Sequence, residues 1–409
     1  MKIDRLHRIG YLPLLACLAA CGSDSERSAR PLVRDSAGIH IVENSTPRWP
    51  EGSGWRLSEE PTLDIGVLEG DPAYQLYRVA DAVKMSDGRI AVANSGTHEI
   101  RFYDARGRFL ASAGREGGGP GEFEGLSRLW THADSLLAYD YRHDRVSIFD
   151  TNGVFVRSFN LQFLMGAGLF PYAEAPFADG SFLISARRMS RGDRLQGGLT
   201  RDSVLYLRCD PEGVVLDSLG WFPGAEWYVQ VDEQSISSST RIFGRSSDAA
   251  AHGDGFYFGS SDSYEIDRYD AAGVLTRVIR KAHANLAVTA QDIDRFIQQE
   301  LADADDENER IFVRRMFGAM PVPETMPAYQ RILTDDDGNL WVEEYRRPGD
   351  QQPRWTVFNR DGELLGEVET PPRFRIYQIG TDFVLGRWLD DLDVQHVRLY
   401  ELRKRPGAT

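Results

Sequence analysis

The sequence is poor in cysteine, in lysine and in paired histidines, and each shortage closes off a class of protein. Its cysteines number 3. Cys17 and Cys21 stand together near the start and Cys209 stands far downstream, so no disulfide framework can hold a small core together. Of 47 basic residues only Lys2, Lys84, Lys281 and Lys404 are lysines, and no basic cluster occurs. With a net charge of -15 the chain is a poor partner for nucleic acid or bare anionic lipid. The 8 histidines include His7 and His40 and form no His-x-x-x-His pair, which leaves zinc without local support. A Gly-x-Ser-x-Gly elbow is missing, and Gly117-Gly-Gly-Pro-Gly121 has no Gly-Lys-Ser/Thr after it, so neither an α/β-hydrolase nor a phosphate loop is indicated.

Long apolar runs are scarce as well. The one at the start, Ile9 to Ala20, is interrupted by Gly10 and Pro13 and follows Lys2, Arg5 and Arg8. It is shorter than the roughly 20 apolar residues of a membrane span and reads as a secretory signal. Leu18-Ala19-Ala20-Cys21-Gly22 resembles the lipobox of bacterial lipoproteins, with Leu14-Leu15-Ala16-Cys17 as a second, poorer match. An ordinary cleaved signal with an incidental cysteine is the plainer alternative. The resemblance implies residues 1–20 as signal peptide and Cys21 as the diacylated mature terminus, whose two chains suffice for stable anchoring. It also implies a cell-envelope location, and Gly22 in place of Asp favours the outer membrane where a cell has two. Loss of the leader takes the net charge to -17. Residues 21–54 are expected to be the lipidated cysteine and a flexible leash, since Gly22 to Arg30 is Ser-rich and charged.

What the chain does have is a repeat. Asp-x-x-Gly turns fall at Asp104–Gly107, Asp150–Gly153, Asp210–Gly213 and Asp270–Gly273, with Asn359–Gly362 as a fifth. The residue before each turn, and its equivalent at the chain's end, is Tyr103, Phe149, Cys209, Tyr269, Phe358 and Tyr400. Three residues earlier stand Ile100, Val146, Tyr206, Ile266, Trp355 and Val397. A preceding strand recurs as Ile90-Ala-Val, Leu136-Leu-Ala, Phe182-Leu-Ile, Phe256-Tyr-Phe, Leu340-Trp-Val and Phe383-Val-Leu. Short strands at a period of roughly 45 residues predict a β-propeller. The fold expected is therefore all-β, a six-bladed β-propeller over residues 55–403, with a tail at 404–409. The last copy stops after its third strand, so Trp55 to Ile65 is expected to supply the strand that closes the last blade and removes a free edge. Cys209 stands at the aromatic core position and reads as buried and inert.

Val92-Ala-Asn-Ser-Gly-Thr-His-Glu-Ile-Arg-Phe-Tyr-Asp104, followed by Gly114-Arg-Glu-Gly-Gly-Gly-Pro-Gly-Glu-Phe123, resembles an NHL-type propeller repeat. The whole is similar to the six-bladed propeller lipoproteins of environmental bacteria. Only the first copy matches closely; the third to sixth lack the Gly-Pro-Gly-Glu-Phe signature. One segment, about 282–326, breaks the repeat. Thr289-Ala-Gln-Asp292 is a capping box with Asp for Glu, Ile293, Phe296, Ile297 and Leu301 follow at helical spacing, and a second helix is predicted through Arg310 to Phe317. This insertion is expected over one mouth of the ring, as a stabilising plug or, alternatively, a lid.

Candidate ligand-binding residues come from repeat register. Asn94, Asp140 and Ser260 end their strands, and His98 with Tyr264, and His143 with Thr97, occupy matched places just beyond. They are positions from which oxygens and imidazoles can face a central mouth, and lactonase-like propellers hold calcium at such places. The competing reading, preferred here, has Asn94 and Asp140 bonding their own tight turns. Asp335-Asp-Asp-Gly338 puts its glycine too early for a calcium loop and reads as a propeller turn. No catalytic residue, metal ligand or cofactor is assigned, with channel calcium as the alternative. The sequence thus points to a non-catalytic binding or scaffold lipoprotein for a small ligand, glycan or protein. The rival is a channel-metal enzyme of lactonase, lyase or dehydrogenase type.

Overall fold

A computed structural model describes residues 31–188, 197–231 and 235–404. Residues 1–30, which hold the expected signal peptide and Cys21, and the tail beyond Lys404 lie outside the described residues. The strands form six sheets, each a meander in which strands at turn-linked spacing pair antiparallel. From the axis outwards, blade 1 holds Val79–Lys84, Ile90–Asn94, Glu99–Tyr103 and Phe109–Ala113; blade 2 holds Leu126–His132, Ser135–Asp140, Arg145–Phe149 and Phe155–Asn160. Blade 3 holds Leu169–Pro176, Phe182–Arg188, Gly198–Cys209 and Val215–Val231, with Ile236–Thr240 added outside; blade 4 holds Asp248–His252, Gly255–Gly259, Glu265–Asp270 and Leu275–Lys281. Blade 5 holds Tyr329–Thr334, Leu340–Glu344, Arg354–Phe358 and Leu364–Glu369, and blade 6 holds Phe374–Ile379, Phe383–Leu389 and Gln395–Arg403.

The ring closes through the innermost strands and their turns. Asp81 accepts from Leu129 N–H, Tyr139 donates to Pro171 O, and Ala178 N–H donates to Gly253 O. Asp248 accepts from Ile332 N–H, Asp336 N–H donates to Ile379 O, and Tyr377 donates to Val79 O. Each bond joins one blade to the next, and the last returns to the first. The chain is a six-bladed β-propeller.

The repeat turns behave as their residues dictate. Asp104 Oδ1 accepts from the N–H groups of Arg106 and Arg108, and Gly107 takes φ +77°, a left-handed conformation that costs glycine least. Asp150, Asp210, Asp270 and Asn359 repeat that geometry. Asp335 does the same at the inner turn of blade 5, so Asp335–Gly338 is a propeller turn. Between blades the apolar positions read from the repeat pack face to face; Ile100, Val146, Ile266 and Val397 are fully buried. Cys209 is buried too, and burial pushes its thiol up to about 12.

Closure of blade 6 follows the expectation. Leu63–Ile65 pairs with Val397–Leu399 and Arg56–Leu57 with Leu402–Arg403. Two other expectations need correction. The strand read as first in each copy is the second; the innermost strand was not recognised in any blade. And the leash expected over 21–54 is structured from Leu32: Leu32–Ser36 and Ile39–Asn44 form a hairpin whose second strand runs parallel to Leu275–Lys281, widening blade 4 to six strands. Leu32 and Val33 are exposed there, which is why that half does not read as a core strand.

The insertion carries helices Ala290–Asp303 and Glu307–Ala319. Thr289 and Asp292 complete the capping box, and Asp306 caps the second helix by accepting from Glu309 N–H. Val313, Met316, Phe317 and Met320 pack with Phe296 on Ile242 and Phe243 beside blade 3, so the insertion sits against the extended blade 3 hairpin as well as on the end of the ring.

Candidate functional site

Strand direction alternates along each meander, so all second-to-third strand turns and all blade-to-blade crossovers emerge on one face. That face carries the six predicted residues and the helical insertion. The predicted residues do not converge there. Asn94 is buried; its Oδ1 accepts from Tyr77 N–H at 2.7 Å and its Nδ2 donates to Thr97 Oγ1 at 2.6 Å. Asp140, also buried, accepts from the N–H groups of Glu124, Gly125 and Arg142 and meets His143 Nδ1 at 2.9 Å. Burial opposes its charge, but His143 and these donors outweigh it and hold the carboxyl below its ordinary range. His143 Nε2 lies 3.9 Å from Glu124.

His98 has φ +58° at the end of a single 3-10 turn, and its Nδ1 is buried without a hydrogen-bond partner. Ser260 gives its carbonyl to Arg201. Tyr264 is core between blades 4 and 5; its hydroxyl donates to Glu344 Oε1 at 2.8 Å, with Lys281 Nζ 4.6 Å from its ring centre. Asn94 and Asp140 therefore serve their own turns and the crossover leading into their blade's innermost strand. Among the described residues no group of three or more His, Cys, Asp or Glu side chains is placed to hold a metal ion.

Sequence reasoning missed two features. Glu344 stands four residues after Leu340, as Asn94 does after Ile90 and Asp140 after Leu136, and it was not compared with them. It binds Lys281 at 2.7 Å and accepts from Thr356. Burial works against its charge, and Lys281 overcomes that to hold it low.

The second is larger. The innermost strands line the axis, and in equivalent register they present Asp81, Arg128, Tyr172, Asp248 and Arg331, opposite Ala93, Tyr139, Ser185, Gly259 and Glu343. Blade 6 adds Arg375, opposite Arg387, one pair earlier. A propeller's innermost strand is a sheet edge with free N–H groups. Asp81 and Asp248 satisfy some of these: each accepts from its own next residue and from the neighbouring blade.

Burial raises three carboxylates of the innermost strands: Asp81, Asp248 and, on Leu169–Pro176, Glu174. Asp81 is pushed up to about 6 even with Arg128 and Arg375 acting on it. Asp248 is raised despite Arg331, and Glu174 despite Arg128 and a bond from Ser185. Arg128 Nε donates to Tyr172 Oη at 3.2 Å, and Arg331 donates to Ile376 O and pairs with Glu343 at 3.4 Å. The channel end is thus a polar, strongly charged ring in an otherwise acidic protein. Such a ring can bind and orient a small polar solute.

A family model described as a six-bladed β-propeller, DUF5128, matches residues 75–195. Three solved structures are similar in outline. A protein described as exported, from Bacteroides fragilis, is 11% identical, covers 89% of this chain and 100% of its own, and gives a TM-score of 0.48. A DUF4221 family member from Bacteroides vulgatus is 12% identical over 87% and 100%, with a TM-score of 0.49. A virginiamycin B lyase from Staphylococcus aureus is 10% identical over 84% and 99%, with a TM-score of 0.39. No curated protein matches the chain. Likenesses this distant say nothing of ligand or reaction. Its sheets and the family model over 75–195 agree on one thing, that the chain is a six-bladed β-propeller.

Proposed function

We propose that this protein is an exported, lipid-anchored propeller that binds a small ligand at the insertion-bearing end of its channel and does not turn it over. The observation that carries the reading is the charged ring on the innermost strands. It concentrates guanidinium and carboxylate groups from successive blades around one axis, whereas the turn residues beside it are occupied by their own loops. A rigid ring with variable crossovers suits recognition.

Anchoring rests on the leader and the Leu18-Ala-Ala-Cys21 match. From Cys21 to Leu32 the chain can reach at most about 40 Å, which would hold the blade 4 flank close to the envelope membrane. Among the described residues no helix is long and apolar enough to cross a membrane.

Metal analysis and chelation on the purified chain test the binding reading against an enzyme. The expected result is no stoichiometric calcium or zinc and a melting temperature unmoved by chelator. A stoichiometric metal lost in the Asn94→Ala and Asp140→Ala variants would overturn it in favour of the channel-metal enzyme. Labelling by an alkyne fatty acid in cells, present in the wild type and lost in Cys21→Ser, tests the anchor.

A further inference from the structure

We propose that the channel end at blades 5 and 6 is a receptor for a small oxyanionic ligand, one bearing a carboxylate or phosphate group, gripped by Arg331, Arg375 and Arg387. The inference rests on the binding reading above and names the class of ligand.

Arg375 and Arg387 are direct cross-strand partners on blade 6. Like charges placed opposite one another destabilise a sheet unless something intervenes. Nothing among the described residues does: neither arginine has a carboxylate within ion-pair distance, whereas most arginines in this acidic chain have one. Arg387 Nε is buried without a hydrogen-bond partner, and such a donor calls for an acceptor. The third guanidinium arrives from the adjoining blade. Arg331 reaches Ile376 O at 3.2 Å, beside Arg375 in the chain.

Nearby negative charge is already committed. Glu343 serves both Arg331 at 3.4 Å and Arg346 at 3.2 Å. Asp81, across the blade 6 to blade 1 junction, spends its oxygens on Ala82 and Leu129 N–H groups. Tyr377, whose hydroxyl donates to Val79 O, sits in the field of Arg387, Arg375 and Arg331 together. Glu343 is the one carboxylate in an ion pair with any of the three guanidiniums; Asp81 and Asp248 lie in their field but give their oxygens to backbone N–H groups, which leaves the site short of an anion. Planar forks of this kind match carboxylate and phosphate oxygens two at a time. Arg375 is exposed, so a solute can reach the pair.

The test uses the full chain at constant ionic strength, with chloride exchanged for inorganic phosphate in one arm and for succinate in the other. Calorimetry should give saturable binding in at least one arm, and the arm that responds identifies the oxyanion. Arg375→Gln and Arg387→Gln should each weaken binding at least tenfold. Without anion both variants should melt no lower than wild type, because each removes one of two opposed charges, an outcome that a merely structural arginine would not give. Phenylglyoxal labelling of the wild type supplies a second readout: anion should protect Arg375 and Arg387 at the peptide level. No saturable binding in either arm, or binding undiminished in both variants, or labelling indifferent to anion, overturns the proposal. A stoichiometric metal with turnover would defeat the binding reading and leave this site standing; a neutral ligand bound in the channel with both anion arms silent would do the reverse.

Discussion

At the residue scale, Asn44 shows how one side chain can join two blades. Its Nδ2 donates to Arg280 O at 3.1 Å in blade 4 and to Gly362 O at 2.9 Å in blade 5, and its Oδ1 accepts from Leu364 N–H at 2.8 Å. All three partners are backbone groups of the fourth strands of blades 4 and 5 or of the turn leading into one, and Asn44 is itself buried. Removing the amide leaves those groups without a partner, which costs more than a hydrogen bond between two exposed groups would return. Asn44→Ala is expected to lower unfolding free energy by about 2–4 kcal/mol, read from urea titration. Asn44→Asp should be worse than Ala, because it sets a carboxylate oxygen against two carbonyls. An Asp variant as stable as wild type would show that the bridge is not formed in solution.

At the scale of elements, the N-terminal segment is a strap across three blades. Ile39–Asn44 lies along blade 4, the N–H groups of Arg48 and Trp49 bond Leu364 and Leu365 carbonyls in blade 5, and Arg56–Leu57 with Leu63–Ile65 close blade 6. Within it the Trp49 and Trp55 rings meet at 5.0 Å with their planes tilted by 43°, and Lys404 covers Trp55 while pairing with Asp337. A chain starting at residue 46 loses the blade 4 hairpin alone and should keep a single cooperative transition at reduced melting temperature. One starting at residue 68 loses the closing strands, exposes the Gln395–Arg403 edge, and should lose cooperativity and bind a hydrophobic dye. Equal behaviour of the two truncations would contradict the strap.

The same elements explain what could be read from residues alone. Closure was legible because six second strands and five completed outer turns leave one blade short, and Trp55 to Ile65 had no blade of its own. The hairpin Leu32–Asn44 was not, because its turn puts Ala37 at φ +54°, where glycine or asparagine would have announced it, and its partner strand lies far along the chain. The innermost strands were hidden by their own geometry. Five of the six carry a register shift, as at Val79/Asp81 and Ala173/Ala175, which breaks the alternation that marks a strand. They also have no residue type common to all, since Asp81, Arg128, Tyr172, Asp248 and Arg331 occupy one level. The charged ring was missed because the candidate site was sought in the turns, where register was visible.

At the scale of the whole molecule, the channel sets the pH at which the ring is most stable. Asp81, with its pKa at about 6, and Asp248 and Glu174, also raised by burial, bind protons more tightly folded than unfolded. A raised carboxylate contributes stability that is present below its ordinary value near 4 and is lost as pH climbs through the folded value. Asp64, Asp140 and Glu344 are held low and act in the opposite sense, losing their contribution only as pH falls below the ordinary range. His252 and His283, lowered by burial, oppose the raised set as pH falls, but the raised carboxylates, with Asp267 at about 6 among them, are the larger set in this window and place maximum stability on the acid side of neutrality. Wild type should therefore unfold at higher urea at pH 4.5 than at pH 7.5.

Relief of the overall negative charge would act in the same direction, so a single variant must separate the causes. Asp81→Asn should shrink the difference between the two pH values by about 2 kcal/mol, while replacing an exposed carboxylate such as Asp361 should leave it nearly unchanged. Anion binding follows from the same protons. As Asp81 and its fellows are neutralised, Arg331, Arg375 and Arg387 lose part of their opposing field, and affinity for the dianion of succinate or phosphate, with the ligand's own protonation allowed for, should rise as pH falls from 7 toward 5. That rise should be blunted in Asp81→Asn, in which the Asp81 part of the field is already gone. An affinity flat across that range in both proteins would mean that the channel carboxylates and the arginine cluster do not share one electrostatic site.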